Sequence, residues 1–159
     1  MKITIIQVGK TKQSFFQQSE AEFQKRLQTY ADLQIVTISE HSIDDSSNQR
    51  LREQAKQKEA ENILKALPKD FFIVVLDETG QSFDSPRFAQ KLGQLRDFEG
   101  GKVCFIIGGP FGLSAEIKKQ ARLILSFSSL TFTHEIIRTL LLEQLYRAFT
   151  ILQNKTYHY

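Results

Sequence analysis

The sequence predicts a single α/β domain, and three observations predict it. Five short apolar runs rich in Ile, Val and Phe recur along the chain, at Ile3–Val8, Leu33–Ile38, Phe71–Leu76, Val103–Ile107 and Leu123–Phe127. Longer segments with a helical repeat alternate with them, which is the pattern of strands joined by crossover helices. No internal repeat, low-complexity tract or linker divides residues 1–159, and a chain of that length buries one sizeable core.

Taken in order, the first helical segment places Phe16, Phe23, Leu27 and Tyr30 on one face, with Gln, Lys, Arg and Glu elsewhere. That face packs on the sheet. The loop around His41–Ser47, running into Asn48, has the Ser, Asp and Asn content of a connection. Asn48–Leu67 is polar, carries a thin stripe of Leu51, Ala55, Ile63 and Leu64, and ends at Pro68, so it reads as a surface helix. Ser85 before Pro86 reads as the N-cap of a helix through Phe88, Leu92 and Leu95 that stops at Gly100–Gly101. The last helix, about 135–153, is capped by Thr133 and is the most apolar. Ile136, Leu142 and Ile151 widen its stripe beyond what one sheet face requires, and the excess is read as a dimer interface.

Composition narrows the function classes. Hydrophobic residues make up 41% and charged residues 25%, which excludes extended disorder, fibrous repeats and a disulfide scaffold. The longest uninterrupted apolar run, Phe71–Leu76, falls far short of the roughly 20 residues that span a bilayer. The start, MKITIIQVGK, lacks the long apolar region of a signal peptide, so a cytoplasmic protein is expected. Cys104, the only cysteine, lies inside VCFII and reads as a small buried hydrophobe. Residues 1–80 carry 11 basic and 12 acidic side chains, whereas 81–159 carry 10 and 6. The resulting −1 against +4 puts a weak positive field in the C-terminal half, which suits a phosphate-rich partner.

Several motif readings fail on spacing. Gly9-Lys10-Thr11 follows a strand, but a phosphate loop needs a glycine five positions before its Gly-Lys pair, where this chain has Thr4. No GxGxxG follows the first strand, so Glu40 at the end of the second reads as a solvated carboxylate and not as a ribose ligand. His41, His134 and His158 are scattered without metal-ligand spacing, and no metal is expected. No GxSxG elbow presents a serine nucleophile.

The informative region is 103–133. A buried strand runs into Gly108-Gly109-Pro110-Phe111-Gly112, where glycines let a ligand approach the backbone, and Ser114 caps the short helix that follows. The next strand ends in hydroxyl-bearing Ser126, Ser128, Ser129, Thr131 and Thr133 interleaved with Phe127, Leu130 and Phe132. Such a segment is part pocket wall, part loop. Its main chain can read an adenine edge, or its hydroxyls can satisfy their own backbone.

These residues carry a resemblance. IIGGPFGLS, LSFSSLTFTHEIIR, EQLYRAF and the terminal TYHY, with VGK and LDETG upstream, closely resemble the ribosomal large-subunit pseudouridine N3-methyltransferases, and the likeness spans essentially the whole chain. The resemblance implies an α/β knot of the SPOUT type, a mostly parallel sheet flanked by helices with the C-terminal segment threaded through a loop. It implies a homodimer that binds S-adenosyl-L-methionine in the knot near the partner chain and acts on 23S rRNA, within the large subunit or the whole ribosome. Carried over by position, it places the cofactor at Leu76, Gly108, Phe127, Ser128, Ser129, Leu130, Thr131 and Phe132, mostly through main-chain groups. It points to Arg147, Tyr157 and His158 as the residues that hold the pseudouridine and assist its deprotonation. His158, with an ordinary pKa near 6.5, is the expected base. Tyr159 stands where the family carries a basic residue, and replaces that contact only by stacking on a base. A silent RNA-binding dimer and a methyltransferase acting on tRNA are the competing readings.

Overall fold

The computed structural model describes residues 1–157. Its elements are β1 (Lys2–Val8), α1 (Ser14–Leu27), β2 (Asp32–Ile38), α2 (Gln49–Ala66), β3 (Phe72–Ser82), α3 (Ser85–Phe98), β4 (Lys102–Ile107), α4 (Ala115–Gln120), β5 (Leu123–Ser126) and α5 (His134–Leu152). The five strands form one sheet in the order β2-β1-β4-β3-β5, and every pairing is parallel.

Helices cover both faces, which is why the strands read as continuous apolar runs instead of alternating ones. Along β4, Val103, Phe105 and Ile107 face α1, α3 and α5, whereas Cys104 and Ile106 face α2 and α4. The first layer is the thicker. Leu141, Leu142, Leu145, Ala148 and Phe149 of α5 pack there with Leu27, Phe88, Leu92 and Leu95. Leu142 is therefore consumed by the chain's own core, and only Ile136 and Ile151 of the three widening residues stay partly exposed. Burial pushes the Cys104 thiol up to about 12, so it remains a protonated packing residue.

The caps follow the local chemistry. Asn48, Ser114 and Thr133 accept backbone amides at the starts of α2, α4 and α5. At α3 the cap is Asp84 rather than Ser85, since its Oδ1 accepts from the Arg87 amide at 2.8 Å and Ser85 is already helical. A carboxylate one residue earlier outcompetes the hydroxyl because it also complements the helix dipole.

β3 departs most from the sequence expectation. Leu76 and Gln81 both pair with Leu125, so Asp77–Gly80 bulge out of the ladder between them. Thr79 donates both its amide (3.1 Å) and its hydroxyl (2.5 Å) to Asp77 Oδ1, which closes the bulge. Gly80 is needed there, because a Cβ on it would lie 2.6 Å from the carbonyl oxygen of Ile124.

Candidate active site

The bulge of β3 and the loops leaving β4 and β5 converge outside the carboxyl ends of the paired strands, where open α/β sheets place their ligands. They line an open cavity of about 1140 Å³. The two loops are each shaped by their own sequence. After β4, Gly112 donates its amide to the Gly109 carbonyl at 3.0 Å, leaving Pro110 and Phe111 at the tip of a tight turn. Gly108 does not make room for a ligand; a Cβ on it would meet the backbone of Gly112 at 2.9 Å and Leu113 at 3.0 Å. The open position is Gly112, with φ +77° and nothing within 4 Å of where its Cβ would stand.

After β5, Ser126 donates its hydroxyl to the Ser128 carbonyl, and the Leu130 amide donates to Ser128 Oγ, both at 2.9 Å. The hydroxyls of Ser126 and Ser128 thus shape the loop itself. Leu76, Gly108, Phe127, Ser128, Leu130, Thr131 and Phe132 all line the cavity. Ser129 is exposed and lies off its wall. Apolar Leu76, Leu125 and Phe127 beside main-chain groups suit a heteroaromatic ring whose edge is read by backbone. Leu130 is 71% exposed and Phe132 38%, a large apolar surface left open at the mouth.

Charged groups stand at one side. Burial alone would raise the Asp77 carboxyl, but bonds from Lys118, with Nζ 2.5 Å from Oδ2, and from Thr79 outweigh it and hold the group below its ordinary value. Arg52, Glu53 and Lys56 of α2 add a second charged wall.

The start of α5 is tied down by a network that sequence inspection passes over. Arg138 is 2% exposed; it donates to the Val8 carbonyl, to the Gly9 carbonyl at 2.8 Å and to Thr11 Oγ1 at 3.1 Å. Glu135 reciprocates by accepting the Lys12 and Gln13 amides at 3.2 and 3.3 Å. This exchange clamps the residues that follow directly on the Phe127–Phe132 wall to the loop after β1. His134, beside them on the cavity wall, has its pKa lowered by burial and then by the Arg138 charge.

Arg147 and Tyr157 are brought together, but not at the cavity. Arg147 binds Glu143 Oε1 through Nη2 at 2.6 Å and Nε at 2.9 Å, and its guanidinium sits 4.9 Å from the centre of the Tyr157 ring. Tyr157 donates its hydroxyl to the same oxygen at 3.2 Å. Burial, and then the Glu143 charge, raise the Tyr157 pKa, so at neutral pH it is a donor and not a base. Arg147 lies ten residues beyond the cavity-lining Ile137, about 15 Å along α5. His158 and Tyr159 lie outside the described residues.

The parallel sheet with this cavity defines a class. Residues 1–158 match the family described as "Predicted SPOUT methyltransferase". A solved structure described as a probable methylase family protein from Haemophilus influenzae Rd KW20 shares the fold, with a TM-score of 0.54 at 18% identity over 96% of this chain and 66% of that longer one. Full-length relatives narrow the class. Ribosomal RNA large subunit methyltransferase H of Halothermothrix orenii is 39% identical, with 99% of each chain covered. The protein of the same name from Trichlorobacter lovleyi is 39% identical over all of both chains, and that of Ruminiclostridium cellulolyticum 37% over 99% of each. The chain belongs to the ribosomal RNA large subunit methyltransferase H family.

Proposed function

We propose that this protein transfers a methyl group from S-adenosyl-L-methionine to N3 of a pseudouridine in 23S rRNA, working as a homodimer on large-subunit or ribosomal particles in the cytoplasm. The observation that carries the reading is the cavity between Gly108–Gly112 and Phe127–Phe132, whose apolar and main-chain lining matches what an adenosyl group requires. When bound there, the cofactor supplies an electrophilic methyl group. The chain's part is to orient, to exclude water and to hold charge.

Leu76, Leu125 and Phe127 form the dry wall, and Gly112 leaves its backbone open to close approach. Arg147 holds the negative charge that develops on the base as its N3 proton leaves, with Glu143 and Tyr157 fixing the guanidinium. His158 takes the proton; Tyr157, kept protonated, donates instead. Because Arg147 lies about 15 Å along α5 from the cavity, it serves the cavity of the partner chain, which makes the site composite and the dimer obligatory. The relatives' names and the +4 charge of residues 81–159 both support an RNA substrate.

The test is transfer of radiolabelled methyl from S-adenosyl-L-methionine to ribosomes from a strain lacking the protein, with the labelled nucleoside identified by mass spectrometry. Label in N3-methylpseudouridine is expected. Label in another nucleoside would overturn the substrate, and binding of the cofactor without transfer to ribosomes would redirect the reading to a different RNA.

A further inference from the structure

The cavity has a wall that the cofactor reading leaves unused. Pocket volumes for one drug-sized molecule run about 300–1,000 Å³. At about 1140 Å³ this cavity has room for a second occupant beside an adenosyl group. The remaining wall comes from the Pro110–Phe111 turn and from α2, where Gln49, Arg52, Glu53 and Lys56 recur at the i, i+3, i+4, i+7 spacing of one helical face. Phe111 is half-buried, with its ring centre 5.9 Å from the Arg52 guanidinium. Arg52 is exposed and donates Nε to the Ser46 carbonyl, which anchors its stem, while its two terminal nitrogens have no hydrogen-bond partner among the described residues. An aromatic face beside an arginine fork is the combination that takes an unstacked base and its phosphate.

We infer that the Phe111–Arg52 side of the cavity seats the extruded target nucleoside of the RNA, the base stacking on Phe111 and the flanking phosphate bonding Arg52. The inference rests on the methyltransferase reading above and adds its nucleoside subsite. A base must leave its stack to bring a ring nitrogen to the methyl donor, and the enzyme that extracts it has to replace the lost stacking. Phe111 does so from the tip of a turn whose base, Gly108–Gly112, belongs to the cofactor wall, so one loop sets both occupants at a fixed separation. Lys56, bonded to Glu53 at 2.5 Å, keeps that wall near neutral apart from Arg52.

The experiment compares Phe111→Ala, Phe111→Tyr, Arg52→Ala and Arg52→Lys in two measurements: calorimetric affinity for S-adenosyl-L-methionine, and kcat/KM for ribosomes from the deletion strain. Phe111→Ala and Arg52→Ala are expected to lower kcat/KM by about 10- to 100-fold, the worth of one base stack or one charged phosphate contact, with cofactor affinity within about twofold of the parent. Phe111→Tyr restores the activity, and Arg52→Lys recovers only part, because an ammonium keeps the charge but not the planar fork. Unchanged kcat/KM in both alanine variants would overturn the inference. A parallel loss of cofactor affinity would also overturn it, by assigning these side chains to the cofactor. No transfer by the unsubstituted protein would bring down the methyltransferase reading itself, and the subsite with it.

Discussion

The two ends of α5 hold their charged residues in different ways. At its start, Arg138 and Glu135 bind backbone groups more than 120 residues away in sequence, and Arg138 is 2% exposed. Near its end, Arg147 is held by an i,i+4 partner, Glu143, and by one tyrosine close to the chain terminus. A part-buried helical pair of that kind is worth at most about 1 kcal/mol, whereas a fully buried cation with several acceptors cannot be removed without stranding them. The first arrangement suits a preorganised pocket wall. The second holds the guanidinium through two side chains near the end of the same helix, away from the cavity, which is the placement the proposed composite site requires.

The comparison breaks most visibly at Arg138. Arg138→Met should cost about 3–5 kcal/mol of folding stability in urea titration, since the Val8 and Gly9 carbonyls lose their donor and Glu20, Glu40 and Glu135 lose their countercharge. A loss below about 1 kcal/mol would show that the clamp does not hold the wall.

Arg147→Ala should do the opposite, leaving stability within about 1 kcal/mol but lowering turnover about 100-fold or more, with cofactor affinity unchanged. Deleting Tyr157–Tyr159 should have the same signature. Mixing Arg147→Ala with a cavity variant such as Leu76→Lys, each inactive alone, sharpens the contrast. If the site is composite, random dimers restore roughly a quarter of parental activity. No restoration would place Arg147 at the cavity of its own chain.

Gly80→Ala tests the bulge that carries Asp77 and Glu78 to the cavity. A Cβ 2.6 Å from the Ile124 carbonyl forces β3 and β5 apart, at about 1–3 kcal/mol by thermal denaturation. An unchanged melting temperature would mean that the bulge rearranges freely.

The smallest effect is the pH dependence of His134. Its pKa in the folded protein lies below the ordinary value, so its contribution to stability is complete above about pH 6.5 and is lost as pH falls toward the folded pKa. His134→Gln should therefore show a smaller fall in melting temperature between pH 7 and 5 than the parent; equal slopes would remove His134 as the source.

Legibility differed between frame and site. The expected strands lie within a residue or two of those observed except at β3, because a parallel sheet covered on both faces requires unbroken apolar runs and helix periodicity fills the gaps. The caps at Ser114 and Thr133 are local chemistry and were legible for the same reason. The cavity had no such signature, since a pocket built from main chain and aliphatic walls looks like ordinary loop and strand. Its residues came from the resemblance. Arg138 in a helical pattern reads as a solvated cation, and the spacing of Arg147 says nothing of its distance from the cavity. What the sequence determined alone was the apolar runs and stripes that leave water and, within a residue or two, where each element begins. Which loops meet, that Gly108 makes room for Gly112 rather than for a ligand, that Leu142 is used up in the core, and that the Arg147 cluster stands apart from the pocket were decided by tertiary structure. Periodicity encodes burial along one element; contacts between loops depend on how the whole chain closes.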